Sequence, residues 1–295
     1  MKKWFLGTCA FVLALSAMPD DATAQRGGRG GGGGNRADMN TMERPIPIAD
    51  KVWMEELTVI EIRDLIRDGW TTALVMTGGI ESNGPYLVTG KHNYVLAAMG
   101  EPIARELGNT LVAPIITVEP GNPETASTPG GIRYSRETYL AVLRDYATSL
   151  KAQGFTDIVF IGDSGGNQTP MSEVADALNG EWGGQSARVH FITEYYTEDR
   201  WSCEYIKDVL GIVQQPDVCA ATRGLYHDDV HYSSIVATTD AERIRPQERL
   251  ATDQFSINGV SLAPVSRTLE VGRKLIELRT EITVRAIRAA MAGGR

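Results

Sequence analysis

The chain has 295 residues, 42% of them apolar and 22% charged, an ordinary globular composition long enough for one large α/β domain or two small ones. Its formal charge is −8, and the expected folded part holds no long run of Lys or Arg. That excludes a nucleic-acid partner, because phosphate binding needs clustered cations.

In chain order, Lys2 and Lys3 precede an apolar stretch from Trp4 to Met18, and Ala22-Thr23-Ala24 comes next as a small-residue cleavage site. This is the layout of a secretory signal peptide over residues 1–24. The apolar run is shorter than the roughly 20 residues of a membrane anchor, and Cys9 sits too early for a lipoprotein site. The expectation is a periplasmic or secreted protein without a membrane anchor, whose mature chain begins near Gln25. Residues 25–45 include Arg26 to Arg36, RGGRGGGGGNR, which cannot bury a core and reads as a flexible leader. One domain is expected over residues 46–295. After cleavage Cys203 and Cys219 are left, an even pair in an oxidising compartment; a disulfide and two buried thiols both stand as readings.

Within the domain, apolar runs at Ala73–Thr77, Leu111–Val118, Asp157–Ile161 and Val189–Ile192 read as strands. They alternate with helical patterns at Asn93–Leu107, Arg136–Gln153 and Thr169–Leu178, and a last helix over Leu269–Met291 carries Leu275, Leu278, Ile282 and Ala286 on one face. Ser135 with Glu137 two residues on supplies a helix start. This alternation predicts a layered α/β fold with a mostly parallel sheet. Ligands bind such sheets beyond the carboxyl ends of the strands, which places Glu81, Glu119, Asp163 and Ser164 near one rim.

Three segments carry a resemblance. Gly78 to Asn93, GGIESNGPYLVTGKHN, is similar to the creatininase (creatinine amidohydrolase) signature, roughly G-S-x-E-Q-H-G-P-H-L-P-x-x-x-D. Phe160 to Asn167, FIGDSGGN, resembles F-x-N-G-H-G-G-N, and His227 to Ser234, HDDVHYSS, resembles H-x-G-x-x-E-T-S. The resemblance covers about residues 50 to 290. It implies a three-layer creatininase-like sandwich, hydrolysis of a carbon–nitrogen bond in a small molecule, and a homo-oligomer.

It also implies one or two divalent metals that generate a hydroxide nucleophile, yet only Glu81 of the expected ligands is retained. Asn83 and Tyr86 stand at two His positions, His92 at the bridging Asp, and Ser164 at the third-strand His, while Tyr232 replaces a Glu. A neutral imidazole cannot bridge two cations as a carboxylate does, so the two-metal site is expected to be lost. A single zinc, manganese or iron held by Glu81, His92 and Asp163, with His231 or Asp229 from the later loop, is one reading. A polar pocket in which His92 bonds Glu81 without metal is another.

A further alternative comes from the residues themselves. Gly162-Asp163-Ser164-Gly165-Gly166 satisfies G-x-S-x-G between a strand and a helix, with Asp228, Asp229 and His231 downstream in the order acid, then His. That would make Ser164 a nucleophile in a metal-independent serine hydrolase; a ligand-binding protein without turnover is the remaining class. His227 is a candidate general acid or base, and His190, inside an apolar strand, reads as a core residue. Asn83, Tyr86, Glu119 and Asn167 are candidates for substrate contact. Tyr195, Tyr196, Trp201 and Tyr205 form an aromatic cluster suited to a lid, an oligomer contact or plain core packing.

Overall fold

The computed structural model describes residues 38–183, 187–197, 202, 204–215, 228–254 and 256–293. The expected signal peptide, residues 25–37 of the leader, Trp201, both Cys203 and Cys219, and His227 lie outside the described residues.

Helix α1 (Val59–Arg67) opens on a capping box in which Thr58 accepts from the Glu61 amide and Glu61 accepts from the Thr58 amide at 2.8 Å. It leads into β1 (Thr72–Thr77), and then come α2 (Lys91–Leu107), β2 (Thr110–Val112), α3 (Arg136–Gln153), β3 (Asp157–Gly162), α4 (Gly165–Trp182) and β4 (Arg188–Phe191). The four strands form one parallel sheet in the order β2-β1-β3-β4. A short helix α5 (Glu194–Thr197), α6 (Val230–Thr239), α7 (Pro246–Ala251), a two-stranded hairpin of β5 (Ser256–Ile257) and β6 (Val260–Ser261), and the long α8 (Val265–Gly293) complete the described chain.

Side chains alternate across the sheet because successive strand residues point to opposite faces. Leu74, Met76, Val159 and Ile161 join one apolar cluster with α2, α6 and α8. Ala73, Val75, Ile158 and Phe160 join another with α3 and α4. All six residues of β1 are buried, as expected of a central parallel strand covered on both faces. The fold is therefore an α/β sandwich of three layers.

The second strand is shorter than expected. Pro114 has no N–H to give to a ladder, so β2 stops at Val112 and the chain rejoins β1 through a single bridge between Ile116 and Thr77. Helix α4 begins at Gly165, ahead of the expected Thr169, despite two glycines in its first turn.

Helices α6 and α8 cross closely at Gly272. A Cβ there would lie 2.1 Å from the carbonyl oxygen of Ser234, and a backbone oxygen cannot rotate away. Gly272→Ala is expected to lower stability by about 1–3 kcal/mol through overpacking, measured as a fall in the denaturant midpoint. An unchanged midpoint would mean that the crossing opens without cost.

Candidate active site

The fold brings three acid and imidazole side chains into one hydrogen-bonded row beyond the ends of β1 and β3. His92, in the first turn of α2, places Nδ1 2.7 Å from Asp163 Oδ2 and Nε2 2.9 Å from Glu81 Oε1. Asp163 comes directly after β3 and is fully buried, whereas the Glu81 side chain, on the loop after β1, keeps 16% of its surface exposed. Glu81 is thus the member of the row that faces solvent.

Each carboxylate also has its own fixed cation. Lys91 Nζ donates to Glu81 Oε1 at 2.7 Å and sits 4.4 Å from the centre of the Tyr232 ring. Arg279, from α8, donates to Asp163 Oδ1 at 2.8 Å and lies over the ring of Tyr195, whose hydroxyl donates to the same Asp163 oxygen at 3.1 Å. Arg279 and Asp163 are both effectively inaccessible, at 1% and 0% of their side-chain surface. Two cations in the first turn of a helix would oppose its dipole; Glu81 offsets them there.

Burial alone would raise both carboxyl groups, but His92 with Lys91 holds Glu81, and Arg279 with His92 holds Asp163, below the usual carboxylate range. Burial likewise favours a neutral His92, and the hydrogen bonds to Asp163 and Glu81 outweigh it, raising its pKa. Geometry agrees, since only an imidazolium donates from both nitrogens at once.

A second polar group lies alongside. The hydroxyl of Ser164 donates to Glu119, which also receives Arg133; Arg133 holds the carbonyl of Ile80 at 2.6 Å. Gly79 permits this approach, because a Cβ on it would meet the Glu119 carboxyl carbon at 2.8 Å. Ser164 occupies the N-cap of α4 with φ −110° and ψ 146° and makes no capping bond with its side chain.

Several expectations from sequence are corrected here. Ser164 has ordinary extended backbone, not the strained turn of a nucleophile elbow, and its proton goes to a carboxylate and not to an imidazole. His231 instead pairs with Asp229 at 2.8 Å and packs on Tyr232, while Asp228 binds Arg249 at 2.6 Å. Ser164, Asp229 and His231 therefore do not form a catalytic relay. Nor do Glu81, His92, Asp163, Asp229 and His231 make one metal cage: among the described residues no group of three or more His, Cys, Asp or Glu has the arrangement to hold a metal ion. The Tyr232 ring packs between the two histidines, 5.8 Å from His92 and 4.0 Å from His231.

Of the expected substrate contacts, Glu119 lies at the rim with Ser164. Asn83 and Asn167 are buried and turn their amides to backbone. Asn83 donates to the carbonyls of Glu81 and Val88, and Asn167 to those of Thr77 and Gly78. They shape the loop that carries Glu81. Tyr86 is half-buried and bonds Thr252 at 2.7 Å. His190 is buried against Asp157 at 2.9 Å, a core position as expected. A surface groove of about 750 Å³ runs between the outer faces of α2 and α8, past Arg105, Glu106 and Arg288, and holds none of these residues.

The sequence model of the creatininase family, described as creatinine amidohydrolase, matches residues 55–287. The chain belongs to the creatininase family. Its members hydrolyse carbon–nitrogen bonds, and the row described here sits on the creatininase signature segments. No curated protein matches the chain in sequence. Among solved structures, the chain is similar to a creatinine amidohydrolase (creatininase) at 16% identity and TM-score 0.57, covering 83% of this chain and 98% of that one. A structure described as creatininase Mn matches at 16% identity and TM-score 0.56, covering 82% and 97%. A mutant creatininase complexed with creatine matches at 17% identity and TM-score 0.56, covering 82% and 97%. At these identities the likeness is one of fold.

The fold thus carries a divalent metal in at least one creatininase. The donor set of this member does not suit one. Both nitrogens of His92 are engaged by carboxylates, so neither offers a lone pair to a metal. Glu81 and Asp163 each already face a side-chain cation. Sequence reasoning does not single out Lys91, Arg279 or Arg133. The available signals are a Lys beside His92 in a first helical turn and an Arg four residues after Leu275 on the apolar face of the last helix.

Proposed function

We propose that this creatininase-family protein hydrolyses a carbon–nitrogen bond in a small amide or cyclic amide, with Glu81 as the group that meets substrate and water. The observation carrying the reading is that the one retained family carboxylate is also the solvent-facing member of the Glu81–His92–Asp163 row. Asp163 fixes the imidazolium, and His92 with Lys91 fixes the carboxylate of Glu81. Glu81 then takes a proton from a water attacking the amide carbon and returns it to the departing nitrogen as the carbon–nitrogen bond breaks. Glu119, oriented by Arg133, and Ser164 form the neighbouring wall. A creatine-sized ligand in one structural relative supports a small-molecule substrate; creatinine itself is disfavoured because the residues that meet metal and carbonyl in the family have changed. Export to the periplasm or beyond is supported by the Lys2–Ala24 layout, and a homo-oligomer by resemblance. No described helix is long and apolar enough to cross a membrane.

Binding without turnover is a second reading. It draws on one observation: Lys91 and His92 both donate to Glu81 Oε1, at 2.7 and 2.9 Å, which stabilises the carboxylate and makes it a weaker base. Measuring amine or ammonia release from a panel of small linear and cyclic amides decides between them. Turnover that Glu81→Gln removes supports hydrolysis, and saturable binding of panel members with no release by the wild type overturns it.

A further inference from the structure

We propose that Lys91 and Arg279 take the place of divalent metal in this chain, so that the carboxylates of its Glu81–His92–Asp163 centre are paired with side-chain cations and the centre binds no metal ion.

Two carboxylates sit in a largely buried row, and two side-chain cations contact them at 2.7 and 2.8 Å. An ammonium and a guanidinium thus cancel the two negative charges before His92 is counted. A divalent ion added here would leave an excess of at least two positive charges in a low-dielectric site, where an unpaired charge is strongly disfavoured. Its natural ligands are also engaged. His92 uses both nitrogens, Asp163 Oδ1 receives Arg279 and Tyr195, Asp163 Oδ2 faces His92, and Glu81 Oε1 receives Lys91 and His92.

The substitution pattern fits the same account. Asn83 directs its amide to two backbone carbonyls and Ser164 directs its hydroxyl to Glu119. Neither an amide nitrogen nor a hydroxyl already donating to a carboxylate replaces an imidazole ligand. The cations themselves are firmly seated: Lys91 against the Tyr232 ring and Arg279 against the Tyr195 ring, both in favourable cation–π positions. They reach the centre from two separate elements, the first turn of α2 and the middle of α8.

The inference deepens the hydrolase reading but rests on it only for the statement that the centre is catalytic; metal content is independent of turnover. The test uses the full chain, produced in medium supplemented with zinc and manganese and purified without chelator. Elemental analysis is expected to give zinc and manganese well below one per chain. Thermal denaturation with added Zn²⁺, with added Mn²⁺ and with EDTA is expected to give the same Tm. Near-stoichiometric metal that disappears in Glu81→Gln, or a Tm raised by either ion in the wild type and not in Glu81→Gln, overturns the proposal. Metal that survives Glu81→Gln lies elsewhere on the chain and leaves this centre metal-free, as proposed. Failure of the amide panel with a metal-free protein would remove the hydrolase reading while leaving this inference standing.

Discussion

Glu81→Gln is expected to lower kcat/KM on any amide the protein hydrolyses by about 10²–10⁴-fold, the usual contribution of a positioned acid–base group. The amide keeps the length of the side chain and still offers an oxygen to Lys91, so substrate access is preserved. What disappears is the ability to take a proton from water and hand it to the departing nitrogen. His92 also loses the anion opposite Nε2, and its pKa falls toward that of a histidine held by Asp163 alone. The loss should appear in kcat with KM little changed, because the group acts on the reacting atoms. Circular dichroism of the variant should match the wild type, since the Arg279–Asp163 pair is untouched. A variant that keeps full turnover would remove Glu81 from the reaction.

Arg279→Leu is expected to destabilise the fold by about 3–5 kcal/mol, the effect of stripping one partner from a buried ion pair. Asp163 has no exposed surface, and its carboxylate would keep only His92 and Tyr195. For a domain of this size each kcal/mol moves Tm by about 2–4 °C, so the variant should melt about 6–20 °C below the wild type. The double variant Arg279→Leu with Asp163→Asn should regain part of the loss, because it removes the uncompensated charge with its partner. A single variant that melts with the wild type would show that Arg279 does not hold Asp163.

The sheet and its flanking helices are legible in the sequence because their signals are repeated. The strands are short apolar runs, and α3 spans the expected residues Arg136–Gln153. The rim is legible too, since parallel strands all end on one side and deliver their next residues there. The partners are not. Ser164 reads as a nucleophile when only its glycine neighbours are counted; Glu119, 45 residues earlier, sets its actual role. Arg279 sits among apolar residues at helical spacing, and such spacing alone cannot distinguish a buried cation from a solvated one. The five candidate metal ligands share a chemical type, and type does not reveal that Tyr232 stands between His92 and His231.

Because Arg279 lies on the last helix, the order of synthesis bears on how the centre is assembled. Synthesis runs from the N-terminus, so Glu81, His92 and Asp163 exist well before the guanidinium that completes them, which lies near the end of the 295-residue chain. An incomplete nascent chain can build the sheet around Asp163 only with that carboxylate lacking its guanidinium partner. The centre therefore closes last, when α8 docks at the Gly272 crossing and carries Arg279 inward, and a chain released short of that helix has no finished site to display.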